Sequence, residues 1–566
     1  MPVDNQAESR AEQIWANSYP KHVRRKIEIP AISVYDIFKE TSKKKFNSTG
    51  IDFLGKKYTY GELVKIIDNV ASFLDLNGVK KGVRVALMVP NSPIYAINFF
   101  AMARLGGVIV QLNPLYTPKE IVDEIRDAQV QFIITTPEFY SKLTSIDANI
   151  LSKIFIFRIE DFLPSIKGML YPMTATRRHV PAEIKTDNRI STFNPKKDYG
   201  KVPEIPSLDP ENDVFLIQYT GGTTGIPKGA LLTHKNLVSN AYQLKEWVPA
   251  EILERGSYLA AIPYFHVYGM MTALLLPVLI GRMIIMVPDP RDLGVVIKAL
   301  DRGTDITFPG IPTMYHAILH SGKLKVSKAG NLAMLLSGAA PLPMELEKEF
   351  TSMTHGTIIE GYGLTESSPV VSATPIASSA RRPGTVGFPL PNTEVRFVDR
   401  DDRKTLLPDG SPGELVVRGP QVMKGYYNNP AETAIALNNG WLHSGDVGFM
   451  DEDGYIHIVD RIKDLIIAGG YNIYPREIEE LILTMENVEE VAVIGVPDPH
   501  RGETVLAVIV PKVGSSVTEK EVKAFCKEKL AVYKVPKIVK FRTSLPKSIV
   551  GKVLKKELRD EYSTRD

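Results

Sequence analysis

The sequence predicts an α/β protein: a large N-terminal domain of αβ-layered subdomains with a small β-barrel-like subdomain, followed by a small α+β C-terminal domain. Three observations predict it. Apolar strand-like runs alternate with helical stretches from residue 31 to about residue 370, the pattern of a largely parallel sheet covered by helices. From about residue 385, short strands and tight turns such as Pro408-Asp409-Gly410 and Asp451-Glu452-Asp453-Gly454 replace that alternation. Past the charged stretch Asp460-Arg461-Ile462-Lys463-Asp464, a compact set of helices and strands begins. The boundary is drawn at Lys463, giving domains 1–462 and 463–566.

Taken in order, Leu63, Ile67, Val70 and Leu74 form an apolar stripe at helical spacing. A strand is expected over 83–89, a helix over 94–103, and strands over 108–110 and 130–135. Residues 195–209 are polar and proline-rich, an exposed connection. Val214-Phe215-Leu216-Ile217 reads as a buried strand and Ala230-Leu231-Leu232 as a second, after which Thr233 caps a helix through Asn236, Leu237, Ala241 and Leu244. Strands over 333–336 and 357–359 end in Ser337-Gly338-Ala339-Ala340-Pro341 and Glu360-Gly361-Tyr362-Gly363-Leu364-Thr365-Glu366. Open α/β sheets bind their ligands at such strand ends. The C-terminal unit reads as helix 477–485, strands 490–496 and 504–511, and helix 519–530.

Composition narrows the function classes. Lys and Arg number 68 against 65 Asp and Glu, a net charge of +3. That balance argues against nucleic acid as a partner. Cys526 is the sole cysteine, so no intramolecular disulfide can form; this fits a cytoplasmic location. Its neighbours Val522, Phe525 and Leu530 make it a packing residue. No secretory signal or peroxisomal address is visible. The most apolar stretch, 270–287, is interrupted by Pro277, Gly281 and Arg282, and reads as buried helix and strand, not a transmembrane span. Peripheral membrane contact and a homodimer are both left open.

The segment with most chemistry lies between the two strands at 214–232: Thr220-Gly221-Gly222-Thr223-Thr224-Gly225-Ile226-Pro227-Lys228-Gly229. Its glycines let backbone approach a ligand closely. Its hydroxyls, N–H groups and Lys228 suit a polyphosphate. It is not a Walker A loop, because Pro227 precedes the lysine, Gly229 follows it, and a strand comes next. The competing reading is a flexible surface hairpin.

Other candidates complete a set that could activate a carboxylate on a nucleotide. Thr365 can bind an α-phosphate and Glu366 a magnesium ion, against a surface Glu with a capping Thr. Tyr362 can stack on adenine or sit in the core. Asp446, in Ser444-Gly445-Asp446, can hold ribose hydroxyls or merely shape a turn. Arg461 can contact sugar or phosphate, or pair with Asp460 or Asp464. Lys552, in Pro546-Lys547-Ser548-Ile549-Val550-Gly551-Lys552, can bridge carboxylate and phosphate oxygens or belong to a solvated lysine-rich face.

Together these segments resemble the AMP-forming acyl-CoA synthetases over nearly the whole chain. Pro263-Tyr264-Phe265-His266-Val267-Tyr268-Gly269-Met270, Ala468-Gly469-Gly470-Tyr471-Asn472-Ile473-Tyr474-Pro475-Arg476-Glu477 and Leu545-Pro546-Lys547-Ser548 are most similar to bacterial-type long-chain fatty-acyl-CoA synthetases. The resemblance implies ATP, a fatty acid and CoA as substrates, with Mg2+. Thr220 to Lys228 would surround the pyrophosphate portion. Gly338, Ala339, Ala340 and Tyr362 would border adenine, and Asp446 and Arg461 the ribose. Thr365 and Glu366 would serve the α-phosphate and the metal. His266 would lie by the acyl carboxylate, with Gly361, Pro369 and Val370 lining the acyl pocket. Lys552 would catalyse adenylation. The small domain would then turn about Lys463, withdrawing Lys552 and bringing the Gly469-Gly470 loop to the pantetheine path. Aryl or short-chain acids, or a carrier-protein thiol as acceptor, are the alternatives within the same chemistry.

Overall fold

The computed structural model describes residues 14–15, 17–169, 187–220, 227–324, 332–340, 342–354, 356–469, 471–548 and 551–563. Four sheets organise them. The first runs, in spatial order, Gly425–Tyr426, Lys228–Thr233, Val214–Thr220, Val108–Gln111, Arg84–Met88, Phe132–Thr135, Lys153–Ile156 and Ile190–Thr192. It is parallel from Val214–Thr220 onward and antiparallel at the glycine-rich hairpin, where Thr220 faces Lys228. The second runs Phe388–Pro389, Val370–Ala373, Thr357–Gly363, Leu332–Ser337, Ile306–Gly310, Ser257–Ala260, Met283–Met286, Thr49–Phe53 and Lys56–Thr59.

Alternating side chains glue these sheets into layers. In Arg84–Met88, Val85 and Leu87 face one core, while Ala86 and Met88 face another. The first core is shared with Ile51, Tyr258 and Ile284 of the second sheet. Between the two sheets lies the helix Pro93–Leu105, buried on every side, as an all-round apolar helix must be. Proline at its start and Gly106 at its C-cap, with φ of 67°, set its ends. The helix Pro118–Asp127 covers the outer face of the first sheet through Ile121 and Ile125. Leu293–Ala299, Pro312–His320 and Met344–Thr354 cover that of the second. The result is five layers, αβαβα.

The expected helix around Leu63–Leu74 is Tyr60–Leu76, started by a capping box between Thr59 and Glu62. Thr233 likewise caps His234–Trp247. The 270–287 stretch forms helical turns from Val267 to Leu279, with a π-helical segment at Met271–Leu275, and then the strand Met283–Met286. No helix among the described residues is long and apolar enough to cross a membrane.

The third sheet is antiparallel. Trp441–Met450 pairs with Gly413–Arg418, Leu437–Asn438 and Ile456–Arg461, and Glu394–Val398 closes the far side. The fourth contains Ile466–Ala468, Tyr471–Ile473, Val488–Asp498, Gly502–Pro511 and Ile538–Phe541. Pro475–Leu483 and Glu519–Lys529 pack on one face of it, with Cys526 buried in that core. Lys555–Ser563 contributes Leu558 to the other face.

Candidate active site

The ends of the central strands carry the candidate residues. Leu332–Ser337 and Thr357–Gly363 are parallel neighbours with Ser337 opposite Glu360. Gly338-Ala339-Ala340 therefore emerges beside Gly361 and Tyr362. Ala339 has φ of 66°, a left-handed turn for a residue with a side chain. Tyr268 backs this loop: its ring lies 3.0 Å from where a Cβ on Gly338 would sit, and its hydroxyl donates to Gly310 O and Leu336 O.

Tyr362 is part core residue and part polar contact. Its ring packs partly against the core, and its hydroxyl donates to Asp446 Oδ2 at 2.6 Å. Burial, then Asp446, push its phenol far up, so it stays a donor. Asp446 also pairs with Arg461 Nε at 3.1 Å, the two residues facing one another across the ladder. The ion pairs considered for Arg461 are otherwise engaged. Asp460 accepts the N–H groups of Arg461 and Arg476, and Asp464 is held by Arg559 at 2.9 Å.

Thr365 and Glu366 sit in the 3-10 turn Thr365–Ser367 directly after Thr357–Gly363. Gly363 lies against Pro369 O so closely that no side chain would fit there, which fixes the turn. Glu366 Oε1 accepts from Tyr426 at 2.8 Å, and Glu366 O accepts from Met423 N. Tyr426 lies in the strand that borders the glycine-rich hairpin, and Lys228 stands over its ring. Lys228 is paired with Glu432. Thr220 closes the hairpin stem. Gly221, Gly222, Thr223, Thr224 and Gly225 lie outside the described residues.

The structure brings Lys552 to this place. Its loop is tied by Ser548 N to Lys552 O and by Gly551 N to Ser548 O, both 2.8 Å, and by the bridge between Lys547 and Val553. Gly551, with φ of 73°, presses its backbone against Thr313 and Ile311 of the N-terminal part. Burial first, then the Arg461 guanidinium, push the Lys552 ammonium down to about 8; Lys463 adds to this and Asp446 and Asp464 oppose it. A lysine buried among these charges is not a solvated tail.

The acyl-side residues form a second group. His266 caps Val267–Met270, and burial pushes its imidazole down to about 4, so it is neutral at pH 7. A Cβ on Gly361 would meet nothing nearer than 3.8 Å, whereas Val370 is held by a reciprocal pair of hydrogen bonds with Asn240. A methyl on Gly361 would thus sit in ordinary contact with Ser372 O, Ser337 O and Val370, without a clash.

Two expected positions stand elsewhere. Lys463 lies in the turn Ile462–Asp464 between the third and fourth sheets. Gly469 is exposed at a hairpin tip, where its N–H donates to Arg501 O. Gly470 lies outside the described residues, as do Ile549 and Val550.

Sequence reasoning missed Glu360, Tyr426, Glu432, Glu414 and His443. Glu360 is pushed up to about 7 by burial and accepts from Leu342 N at the edge of a cleft lined by Glu347, Thr374 and Arg381. Only its place just before Gly361-Tyr362-Gly363 could have signalled it.

Strand ends, a paired Asp–Arg and a lysine from the C-terminal part thus come to one place, the parts that a nucleotide-using group-transfer site needs. Residues 38–427 match the family model of the AMP-binding enzymes, and residues 477–552 that of the AMP-binding enzyme C-terminal domain. The chain belongs to the AMP-binding enzyme family. It is 40% identical over 558 residues to a long-chain-fatty-acid–CoA ligase of Bacillus subtilis (strain 168), covering 98% of each chain. It is 36% identical to a long-chain-fatty-acid–CoA ligase of Escherichia coli O6:H1, over 97% of this chain and 98% of that one. Among solved structures, ATP-bound MatB from Rhodopseudomonas palustris is similar, with a TM-score of 0.81 and 31% identity over 94% of this chain and 99% of that one.

Proposed function

We propose that the protein joins a medium- to long-chain fatty acid to coenzyme A, using ATP and passing through an acyl-adenylate. A carboxylate oxygen attacks the α-phosphorus of ATP and the bond to pyrophosphate breaks. The CoA thiol then loses its proton, its sulfur attacks the acyl carbon, and AMP leaves. The observation that carries the reading is Lys552, half-buried and within electrostatic range of the Asp446–Arg461 pair, with Thr365 and Glu366 just past the strand bearing Tyr362.

In this reading Thr220 to Lys228 cradles the β- and γ-phosphates, and Gly338, Ala339, Ala340 and Tyr362 border the adenine. Asp446 and Arg461 hold the ribose, and Lys552 spreads the charge forming between carboxylate and α-phosphate. Neutral His266 orients the acid, whose chain enters the space before Gly361, Pro369 and Val370. Glu366 with Thr365 fits magnesium. Among the described residues no three acidic, histidine or cysteine groups cluster, and Mg2+ is commonly held by one or two carboxylates plus substrate phosphates. When bound, Mg2+ neutralises phosphate charge. The domains divide at Lys463, which serves as the pivot bringing Gly469 and Gly470 to the thiol. The lone buried Cys526 fits the cytoplasm, and any membrane contact would be peripheral.

The test is AMP and acyl-CoA formation across short, medium, long and aromatic acids with ATP and CoA. Highest kcat/KM on medium or long aliphatic acids is expected. Formation of no acyl-CoA from any aliphatic acid overturns the reading.

A further inference from the structure

We infer that Glu414, acting with His443, is a positioning residue for the nucleotide, clamping the backbone bulge that aims Asp446 at the ribose. The inference rests on the reading of Asp446 as the ribose ligand.

The bulge is visible in the register. Gly413–Arg418 and Trp441–Met450 pair Glu414 with Val447 and Val416 with His443. Leu415 alone on one strand thus faces Ser444, Gly445 and Asp446 on the other. Bulges beside active sites re-aim a side chain out of the ladder. Gly445 supplies the left-handed residue this one needs, with φ of 71°. A Cβ there would meet nothing within 4 Å, so its glycine serves conformation, not space.

Three hydrogen bonds hold the bulge. Ser444 Oγ donates to Leu415 O at 2.6 Å, Asp446 N donates to Ser444 Oγ at 3.0 Å, and Gly445 N donates to Glu414 Oε1 at 3.2 Å. Glu414 is the fixed point. Its side chain is 1% exposed, its Oε2 faces His443 Nδ1 at 2.9 Å, and Arg403 reaches Oε2 from Nε at 3.0 Å and Oε1 from Nη2 at 3.3 Å. With Glu414 as acceptor, the His443 Nδ1 carries the proton. Burial alone would raise this carboxyl, but His443 and Arg403 outweigh it and hold it below the usual carboxylate range.

A buried ion cluster is weak evidence for stability, since desolvation offsets much of its attraction. What this one does is orient. Leaving the bulge, the chain places Asp446 within reach of Tyr362 and Arg461. A bulge free to relax toward a regular ladder would turn that carboxylate away.

The experiment measures steady-state kinetics with ATP, 2′-deoxy-ATP and 3′-deoxy-ATP, together with thermal melting, for Glu414→Gln, His443→Leu, His443→Asn and Asp446→Asn. Glu414→Gln and His443→Leu are expected to raise KM for ATP about ten-fold, the effect of losing a hydrogen bond to a charged group. They should shrink the preference for ATP over the deoxy-nucleotides in proportion and leave KM for acid and CoA unchanged. His443→Asn, which keeps a donor near Nδ1, should restore most of both. Should Glu414→Gln fail to fold, the His443 pair decides alone. Lowered melting with unchanged ATP KM and unchanged deoxy-nucleotide discrimination overturns the inference while Asp446→Asn still loses discrimination. If Asp446→Asn also keeps discrimination, the ribose reading itself has failed and the inference falls with it.

Discussion

Lys552 makes pH a direct probe of the site. Its ammonium ordinarily loses its proton at 10.5, and burial followed by Arg461 and Lys463 brings that down to about 8 against the pull of Asp446 and Asp464. The depression disfavours the charged form by about 3 kcal/mol in the docked arrangement. The sign follows. Below pH 8 docking carries this cost in full, and between 8 and 10.5 it is progressively relieved because the docked lysine is neutral. On the proposed function, adenylation needs the ammonium. Its kcat/KM for ATP, which reports the free enzyme, is expected to fall as pH rises through about 8. In the ATP complex the phosphates favour the charged form, so the falling limb of kcat moves to higher pH.

The assay is acid-dependent exchange of pyrophosphate into ATP, run beside thioester formation from preformed acyl-adenylate and CoA. The second half-reaction should rise over the same window, because the thiolate is the nucleophile. Lys552→Arg keeps a cation at every accessible pH, so its weaker exchange activity should lose the limb. Lys552→Ala should abolish exchange and spare the thioester step. A kcat/KM profile flat to about pH 10, or a falling limb shared by both half-reactions, refutes the assignment.

Two further outcomes follow from contacts at the site. Tyr426→Phe removes the hydroxyl that donates to Glu366 Oε1 at 2.8 Å; the Mg2+ concentration for half-maximal exchange should rise about ten-fold, and an unchanged Mg2+ titration would sink the assigned role. Gly361→Ala adds a methyl that meets nothing nearer than 3.8 Å; melting should hold or rise slightly while kcat/KM for the acid drops and KM for ATP stays put. A clear loss of melting temperature would mean that the added methyl is not accommodated beside Ser372 O and Val370.

How much of this was legible depends on the range of the interactions. The glycine-rich hairpin could be read because its two strands are adjacent in sequence and carry the apolar runs 214–217 and 230–232. Thr365 and Glu366 could be read because they directly follow a strand and two glycines. Asp446 and Arg461 could be named singly, yet nothing local says that they face one another across a ladder. Glu414 and Tyr426 act on residues 31 and 60 positions away, and an isolated Glu or Tyr has no pattern of its own. The same limit applies to the fold. Thr49–Phe53 pairs on one side with the adjacent Lys56–Thr59, but its parallel neighbour on the other side, Met283–Met286, is more than 200 residues on. Doubly covered strands are apolar on both faces, so their composition does not tell which sheet they enter. Periodicity did reveal the helix through Leu63 and Leu74, because only one of its faces is buried.

Why a lysine, and on a loop from the C-terminal part, follows from the same energetics. Tyr362, Asp446, Arg461, Thr365 and Glu366 are fixed by sheets of the N-terminal part, and Asp446 is further locked through Glu414. Only Lys552 has to arrive, through the backbone contact of Gly551 with Thr313. Docking brings its ammonium next to Arg461, which is unfavourable until an anion lies between them. ATP and a carboxylate supply that anion, so their binding favours the docked loop by differential interaction. Departure of pyrophosphate removes most of the negative charge, and the cost of about 3 kcal/mol again opposes docking. A permanently protonated arginine would have no neutral state to relieve the repulsion from Arg461. On the proposed two-step reading, a group poised near pH 8 would serve the first half-reaction and then be released, freeing space for the thiol in the second.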